Sequence, residues 1–412
     1  MKTNLSKKSL STDASLLKQI NYARILGLLR CQPHLSRAEI ARQIGLTRST
    51  VTVITAELIT QGLLKESGEI LQSPNGGRPG VSLTLNPEGA FFIGAAIEAG
   101  HLTVIELNLA AQMVSRIQEP LEGNENPDTV LNQLIQLIER IRQSNPDRNQ
   151  RLQGVGLTIQ GTLNLEGVVI CAPFLNWYGI DLRSYLETHI DLPVFVDNDA
   201  NAAALAEVYL GSAIQSNSLL YLLINKGMGA GIVIHNRVFR GAYGTAGEVG
   251  ALLIDPFSPI NDDSGQRRDV GTLVGREGLL RRYCERGGEA SDIDDLVNCL
   301  VQGEPLAQAV VQEWTQVLGW ELINLVSTLN PERVVIGGPL TVLLPHVKEQ
   351  LNAMLRDYVP GNGAGGFFSD PKARFEASTF GEDASAMGGA VLVYQSLFQM
   401  PDLVLLRREG EY

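Results

Sequence analysis

Residues 35–64, LSRAEIARQIGLTRSTVTVITAELITQGLL, constrain the fold most, because they spell two short helices joined by a tight turn. Ser36 followed by Glu39 is a capping box, a reciprocal pair that satisfies free backbone N–H groups at a helix start. Ala38, Ile40, Ala41 and Ile44 then recur at helical spacing, and Gly45 supplies the turn. Thr47 is a good N-cap for a second helix that runs to about Gln61 and stops at Gly62. Val51, Ile54 and Leu58 form its core-facing stripe. Ser49, Thr52, Val53 and Ala56 lie opposite, with Arg48 at the start. Small polar groups beside a methyl-bearing residue suit a helix that lies in a DNA major groove and touches base edges. Arg37, Thr47, Arg48, Ser49, Thr50, Thr52 and Val53 are therefore candidate DNA contacts. The same pattern also fits an ordinary αα-hairpin packed in a core.

The flanking residues extend this unit. Residues 14–30 form an amphipathic helix with Leu16, Ile20, Ala23, Leu26 and Leu29 on one side, and the polar residues 1–12 are expected to be disordered. After Gly62, LLKESGEIL is expected to make a short hairpin turning at Ser67–Gly68. QSPNGGRPG is a loop, and VSLTLN alternates Val81, Leu83 and Leu85 against polar residues as a strand. Three helices and this β wing make a winged helix-turn-helix. Arg78, between Gly77 and Pro79, is a candidate for a phosphate or minor-groove contact, or else a cap on the linker.

Charge divides the chain in the same place. Residues 1–88 hold 11 basic and 6 acidic residues, a net +5, whereas the remaining 22 and 39 give −17. Phosphate attraction is local and is screened within ~10 Å at ordinary salt, so a small basic module on a large acidic body remains compatible with DNA. No uninterrupted apolar run reaches membrane-spanning length and no signal peptide is evident, so no membrane partner is expected. Cys31, Cys171, Cys284 and Cys299 are too dispersed for a zinc or disulfide framework, which points to a reducing cytoplasm.

From Phe91 the texture becomes α/β. Residues 91–118 hold two or three strands, and 127–144 form a helix with Val130, Leu131, Leu134, Leu137 and Ile138 inward. LPVFVDNDANAAALAEVYLG is a strand running straight into a helix. SLLYLLINKGMGAGIVIHNRVFRG is a strand, a glycine turn and a second strand. A long helix at 306–329, the strand ERVVIGG and a last helix in SAMGGAVLVYQSLF complete the pattern. Such alternation argues for sheets covered by helices in two lobes. Asn198 and Asp199 fall at a strand end, where open α/β folds place ligand groups. A carboxylate and an amide match the donors and acceptors of a polyol, although Asp199 also fits a plain helix cap.

The segments SRAEIARQIGLTRSTVT, GGRPG, VDNDANAAALAE, GMGAGIV, GTAGEVG and VVIGG, in this order, resemble the ROK family (repressors, open reading frames and sugar kinases). The resemblance is to its repressor branch, of the xylose- and N-acetylglucosamine-repressor type. It implies a winged helix-turn-helix over 1–88 and, over 89–412, a two-lobed actin-like, sugar-kinase-type (ribonuclease H-like) body for effector binding and oligomerisation. It also implies that Asp199 and Asn198 contact sugar hydroxyls, that Glu248 is a further sugar contact, and that Asn176 stands near a position where relatives carry Asn.

Several family positions are altered. Relatives that are kinases begin with a DxGGT-type phosphate loop, where this chain has Ala96-Ile97-Glu98-Ala99-Gly100. Ala96 replaces the Asp, and Glu98 puts negative charge where phosphate should approach, which opposes phosphoryl transfer. Gly227, Gly229 and Gly231 survive from the second phosphate loop, but Asn225-Lys226 replaces its start, and an ordinary turn fits as well. Ala251 stands in place of a sugar- and zinc-binding His, and Phe174 in place of the Asn. Asp262, Ser264 and Asp269 stand where the family has zinc cysteines, and Gly271 where it has a sugar-binding Glu. Hard oxygen ligands for soft thiolates argue against a zinc site.

The expected function is a cytoplasmic DNA-binding regulator, most simply a repressor, with no catalytic residue, metal or cofactor. Its partners are a double-stranded operator, a sugar or sugar-derivative effector, and a second copy in a homodimer or larger homo-oligomer. Two alternatives stay open: an ATP-dependent sugar kinase with an appended DNA module, and a ligand-independent regulator whose body only oligomerises.

Overall fold

The computed structural model describes residues 5–71, 80–98, 100–121, 126–214, 216–253, 269–359 and 374–398. Arg78, Asp262 and Ser264 lie outside them.

Helices α1 (Leu5–Cys31), α2 (Arg37–Ile44) and α3 (Arg48–Thr60) build the N-terminal module. The Ser36 hydroxyl accepts the Glu39 N–H at 3.3 Å, and the Glu39 carboxylate accepts the Ser36 N–H at 2.8 Å. Those bonds hold the Glu39 carboxyl below the usual range. Gly45 (φ 71°) and Gly62 (φ 77°) take left-handed backbone that glycine adopts without strain, and so end the two helices. Helix α1 begins at Leu5, which corrects the expected disorder of 1–12 over residues 5–12. No proline interrupts the segment between Leu5 and Cys31, and nothing local stops the helix earlier.

The expected hairpin at Ser67–Gly68 is also corrected. Residues Leu64–Leu71 are one strand, β1, whose register against β2 (Gly80–Leu85) slips between Glu66 and Ile70. Gly68 (φ 75°) is a bulge in that strand. The two-residue strand Leu35–Ser36 pairs with the other edge of β2, which closes the winged module.

A single 3-10 turn, Pro87–Gly89, leads from β2 into the body. There β3 (Phe91–Glu98), β4 (His101–Asn108) and β5 (Met113–Pro120) form an antiparallel meander. After helix α4 (Pro127–Ser144) come β6 (Leu152–Ile159), parallel to β3, and β7 (Val194–Asn198), parallel to β6. Helix α5 (Asp199–Tyr209) crosses to the second lobe. That lobe repeats the pattern: β8 (Ser218–Ile224) is antiparallel to β9 (Met228–Ile234), which pairs with the short strand Arg237–Val238. Long helix α6 (Pro305–Leu329) then leads to β10 (Arg333–Gly337) and, after α7 (Leu344–Tyr358), to β11 (Arg374–Ala377), both parallel additions. Two sheets of one order, three antiparallel strands followed by two parallel ones, make the expected two-lobed body.

Helix α8 (Ala384–Tyr394) returns to the first lobe, and every residue in it is buried. Its small residues allow a close approach to α5, since a Cβ on Gly388 would fall 2.2 Å from the Ala202 carbonyl carbon. One apolar core runs from Ile40, Val51, Ile54 and Leu58 of the helix pair through Leu26, Leu29 and Leu85 to Phe92, Ala96 and Tyr394 of the body. The module is packed onto the first lobe rather than hung from a tether.

Candidate functional site

Two surfaces carry the candidate residues. On α3, Val51, Ile54 and Leu58 are buried, whereas Thr47, Arg48, Ser49, Thr52, Val53 and Ala56 are exposed. Thr47 Oγ1 accepts the Thr50 N–H at 3.2 Å and caps the helix. Thr52 donates its hydroxyl to the Arg48 carbonyl at 2.8 Å, and beside it Val53 is a β-branched side chain left 58% exposed. The open end of α3 also presents the free N–H groups and positive dipole end that suit a phosphate. Arg37 behaves differently from the rest of the candidate set. Its guanidinium donates to Thr55 Oγ1 at 3.1 Å and Glu66 Oε1 at 3.0 Å, tying α2 and α3 to the wing.

The second surface is a cleft of about 140 Å³ between the lobes, lined by Thr162, Phe174, Asn198, Asp199, Asn225, Gly227 and Glu248 among others. That is well below the ~300–1,000 Å³ of sites for drug-sized ligands. Strand β7 ends at Asn198, whose Oδ1 caps α5 by accepting the Ala200 and Asn201 N–H groups at 2.9 and 3.1 Å. Its Nδ2 donates to the Gly161 carbonyl at 3.0 Å. Asp199 follows, 6% exposed, accepting the Ala200 N–H at 2.9 Å. Burial first, then the negative charges of Glu98 and Glu248, push its carboxyl up to about 8. Glu248, exposed at the mouth, accepts the Thr162 hydroxyl at 2.8 Å and so joins the two lobes. Lys226 lies over the Phe174 ring at 5.4 Å, a second bond across the cleft.

Asn176 is not in this wall. It is exposed, in left-handed backbone (φ 56°), on the turn that follows Phe174. Thr162 was not singled out from the sequence, and Lys226 was named only as an altered phosphate-loop position; the contact each makes across the cleft forms only when the lobes meet.

At the phosphate-loop positions, strand β3 runs to Glu98 and β4 starts at His101, the two residues pair across the strands, and Ala96 is fully buried. Glu98 is held by Ser385 Oγ at 3.1 Å and His101 Nε2 at 2.9 Å, and that bond raises the His101 pKa. Gly229 and Gly231 lie inside β9, leaving Asn225–Gly227 as its turn. Asp269 caps the short helix Val270–Val274 through the Thr272 N–H at 2.9 Å, and Gly271 packs against Gly250. Of the three residues expected in place of the zinc cysteines, Asp269 alone is described, and its carboxylate is used as a helix cap. Among the described residues no helix is long and apolar enough to cross a membrane.

Comparison with known proteins assigns a family to each of the two parts of the chain. The model described as "ROK family" matches residues 94–396, and the one described as "Winged helix-turn-helix DNA-binding" matches 23–65. A xylose repressor of Caldicellulosiruptor bescii is 28% identical over 94% of this chain and 98% of its own length. A glucokinase of Halalkalibacterium halodurans is 26% identical over 74% of this chain and 95% of its own. A solved ROK-family transcriptional regulator, homologous to the E. coli MLC protein, superposes with a TM-score of 0.78 at 26% identity. It covers 95% of this chain and 99% of its own.

Proposed function

The chain belongs to the ROK family, and on that premise we propose that it is a DNA-binding transcriptional repressor whose body binds a sugar without phosphorylating it. The observation that carries this is the joining of an exposed reading face on α3 to a body whose phosphate hairpin is closed by Glu98 and packed on Ala96. Phosphoryl transfer works by positioning and charge neutralisation, and a carboxylate in the phosphate's place supplies the opposite field. The xylose repressor that matches nearly the whole chain supports the same reading and makes a pentose the first sugar to try.

On DNA, Arg48, Ser49, Thr52 and Val53 contact base edges, Thr47 and Thr50 secure the helix start, and Arg37 holds the wing against α3. Arg78 supplies the wing's cation. In the body, Asp199 and Glu248 hold the sugar's hydroxyls, with Asn198 fixing the start of α5, while Asn176 stands outside the cleft wall on the exposed turn after Phe174. The protein acts as a homodimer in the cytoplasm, because two reading helices must match half-sites ~34 Å apart on one face of the duplex. Sugar then controls DNA only to the extent that it binds the DNA-competent and DNA-incompetent arrangements unequally.

The glucokinase likeness favours one other reading, a working kinase that also binds DNA. A coupled ATP-turnover assay with D-xylose, D-glucose and N-acetyl-D-glucosamine separates the two. The proposal expects no turnover above background, and turnover at ordinary enzyme rates would sink it.

A further inference from the structure

Helix α5 has one end in each functional half of the molecule. Asn198 and Asp199 at its start line the inter-lobe cleft. Tyr209 at its end lies against α1 of the DNA-reading module. The last carbonyls of a helix lack partners within it and carry the negative end of its dipole. Here the Tyr209 carbonyl accepts a hydrogen bond from Arg30 Nη1 of α1. The same guanidinium lies over the Tyr209 ring at 4.8 Å and the Phe398 ring at 5.8 Å.

The junction around this contact is open. Two hollows, of about 680 and 950 Å³, lie between module and body, and Tyr209 is in the wall of both. The covalent link is short: Asn86 Nδ2 donates to the Gly62 carbonyl at 2.7 Å on the module side. The Pro87 carbonyl accepts the Leu109 N–H at 3.1 Å on the body side. Apolar packing of Leu26 and Leu29 adds adhesion but little direction, whereas a planar cation stacked on a ring and bonded to a carbonyl fixes an orientation.

Helix α5 is also stiff. Residues Asp199–Val208 are all buried, and α8 approaches to within backbone contact at Ala202. A helix so enclosed moves as a rod of roughly 16 Å, at 1.5 Å per residue, rather than bending.

We propose that Arg30 is the residue that positions the DNA-reading module, by clasping the C-terminal end of α5, so that displacement of α5 at the cleft reaches α1 as a change in module orientation. The transmission, though not the clasp, rests on the sugar-controlled reading above.

The full-length protein tests both parts. With its four cysteines replaced, spin labels at Ala38→Cys on α2 and Glu166→Cys on the first lobe report the module-to-body distance by pulsed electron resonance. The clasp predicts one narrow distribution in the wild type and a broadened or shifted one in Arg30→Gln. Tyr209→Leu keeps the carbonyl and removes the ring, so it gives a smaller change in the same direction. It serves as the second variant should Arg30→Gln fail to fold. Distributions matching the wild type overturn the clasp, and this holds whether or not any sugar binds.

The transmission is read with D-xylose as probe, or with whichever of the three sugars shifts operator affinity in the wild type. Arg30→Gln should bind that sugar within about twofold of wild type, yet show at least a fivefold smaller sugar-induced change in operator affinity. An undiminished response overturns the transmission. If no sugar shifts operator affinity in the wild type, the sugar-controlled reading and the transmission resting on it both fail, while the distance measurement still decides the clasp.

Discussion

Helices α3 and α5 begin alike and end in opposite surroundings. Each follows an extended residue whose side-chain oxygen caps it, Thr47 for α3 and Asn198 for α5. Beyond the cap, α3 keeps a polar face in water on a module of net +5, whereas α5 is buried almost throughout in a body of net −17. The first arrangement suits a large, highly charged partner that approaches from outside and gains from many weak contacts. The second suits one small ligand that must match a few buried groups. The contrast also decides what burial does to charge: Arg48 stays hydrated, while Asp199 is pushed up to about 8.

The largest expected effect is that of salt. If α3 and the wing neutralise phosphates, a dimer making even six such contacts loses on the order of 10³ in operator affinity between about 50 and 200 mM salt. Sugar affinity, measured by calorimetry over the same range, should stay flat. Equal salt dependence at both sites would erase the distinction.

Arg48→Ala comes next. A base contact is worth about 1–3 kcal/mol, so operator binding by fluorescence anisotropy should weaken roughly 5- to 150-fold with sugar affinity unchanged. Wild-type affinity would remove Arg48 from the interface.

Asp199→Ala should act in reverse, costing sugar about 1–3 kcal/mol, a roughly 5- to 150-fold loss, because a buried sugar hydroxyl is left without its hydrogen-bond partner. Operator affinity without sugar should hold within a few-fold. Unchanged sugar affinity would favour a body that only oligomerises.

The smallest effect separates the two helix starts by pH. Asp199 titrates near 8 when folded but near its ordinary 3.8 when unfolded. Between those values the folded state holds the extra proton, so stability falls as pH rises through that window and is fully present only below it. Asp199→Asn should therefore melt a few degrees above wild type at pH 8, a gain that shrinks toward pH 4. Thr47→Ala removes an uncharged cap and should cost about 0.5–2 kcal/mol at both pH values. A pH-independent Asp199→Asn would contradict the burial argument.

Legibility in the sequence followed the range of the interactions. The helix pair was readable because Ser36, Glu39, Gly45, Thr47 and Gly62 act on their own neighbours. Ser67–Gly68 misled for the same reason. A local turn signal yields a bulge when a partner strand, here 80–85, pairs on both sides of it. The start of α1 has no stop signal to mark it. At the cleft, Asn198, Asp199 and Glu248 follow from motifs, and they converge. Thr162 to Glu248 and Lys226 to Phe174 could not be found that way, since each joins residues of different lobes, and the Arg30 contact likewise joins the module to the body.

One titration tests the central claim most directly. With the operator located by genomic footprinting, the preformed protein–DNA complex is titrated with D-xylose, D-glucose and N-acetyl-D-glucosamine in the absence of ATP. The account predicts that one of these sugars shifts operator affinity at least tenfold, and that Asp199→Ala abolishes the shift. Operator affinity indifferent to every sugar, or a shift that appears only when ATP is supplied and consumed, would contradict it.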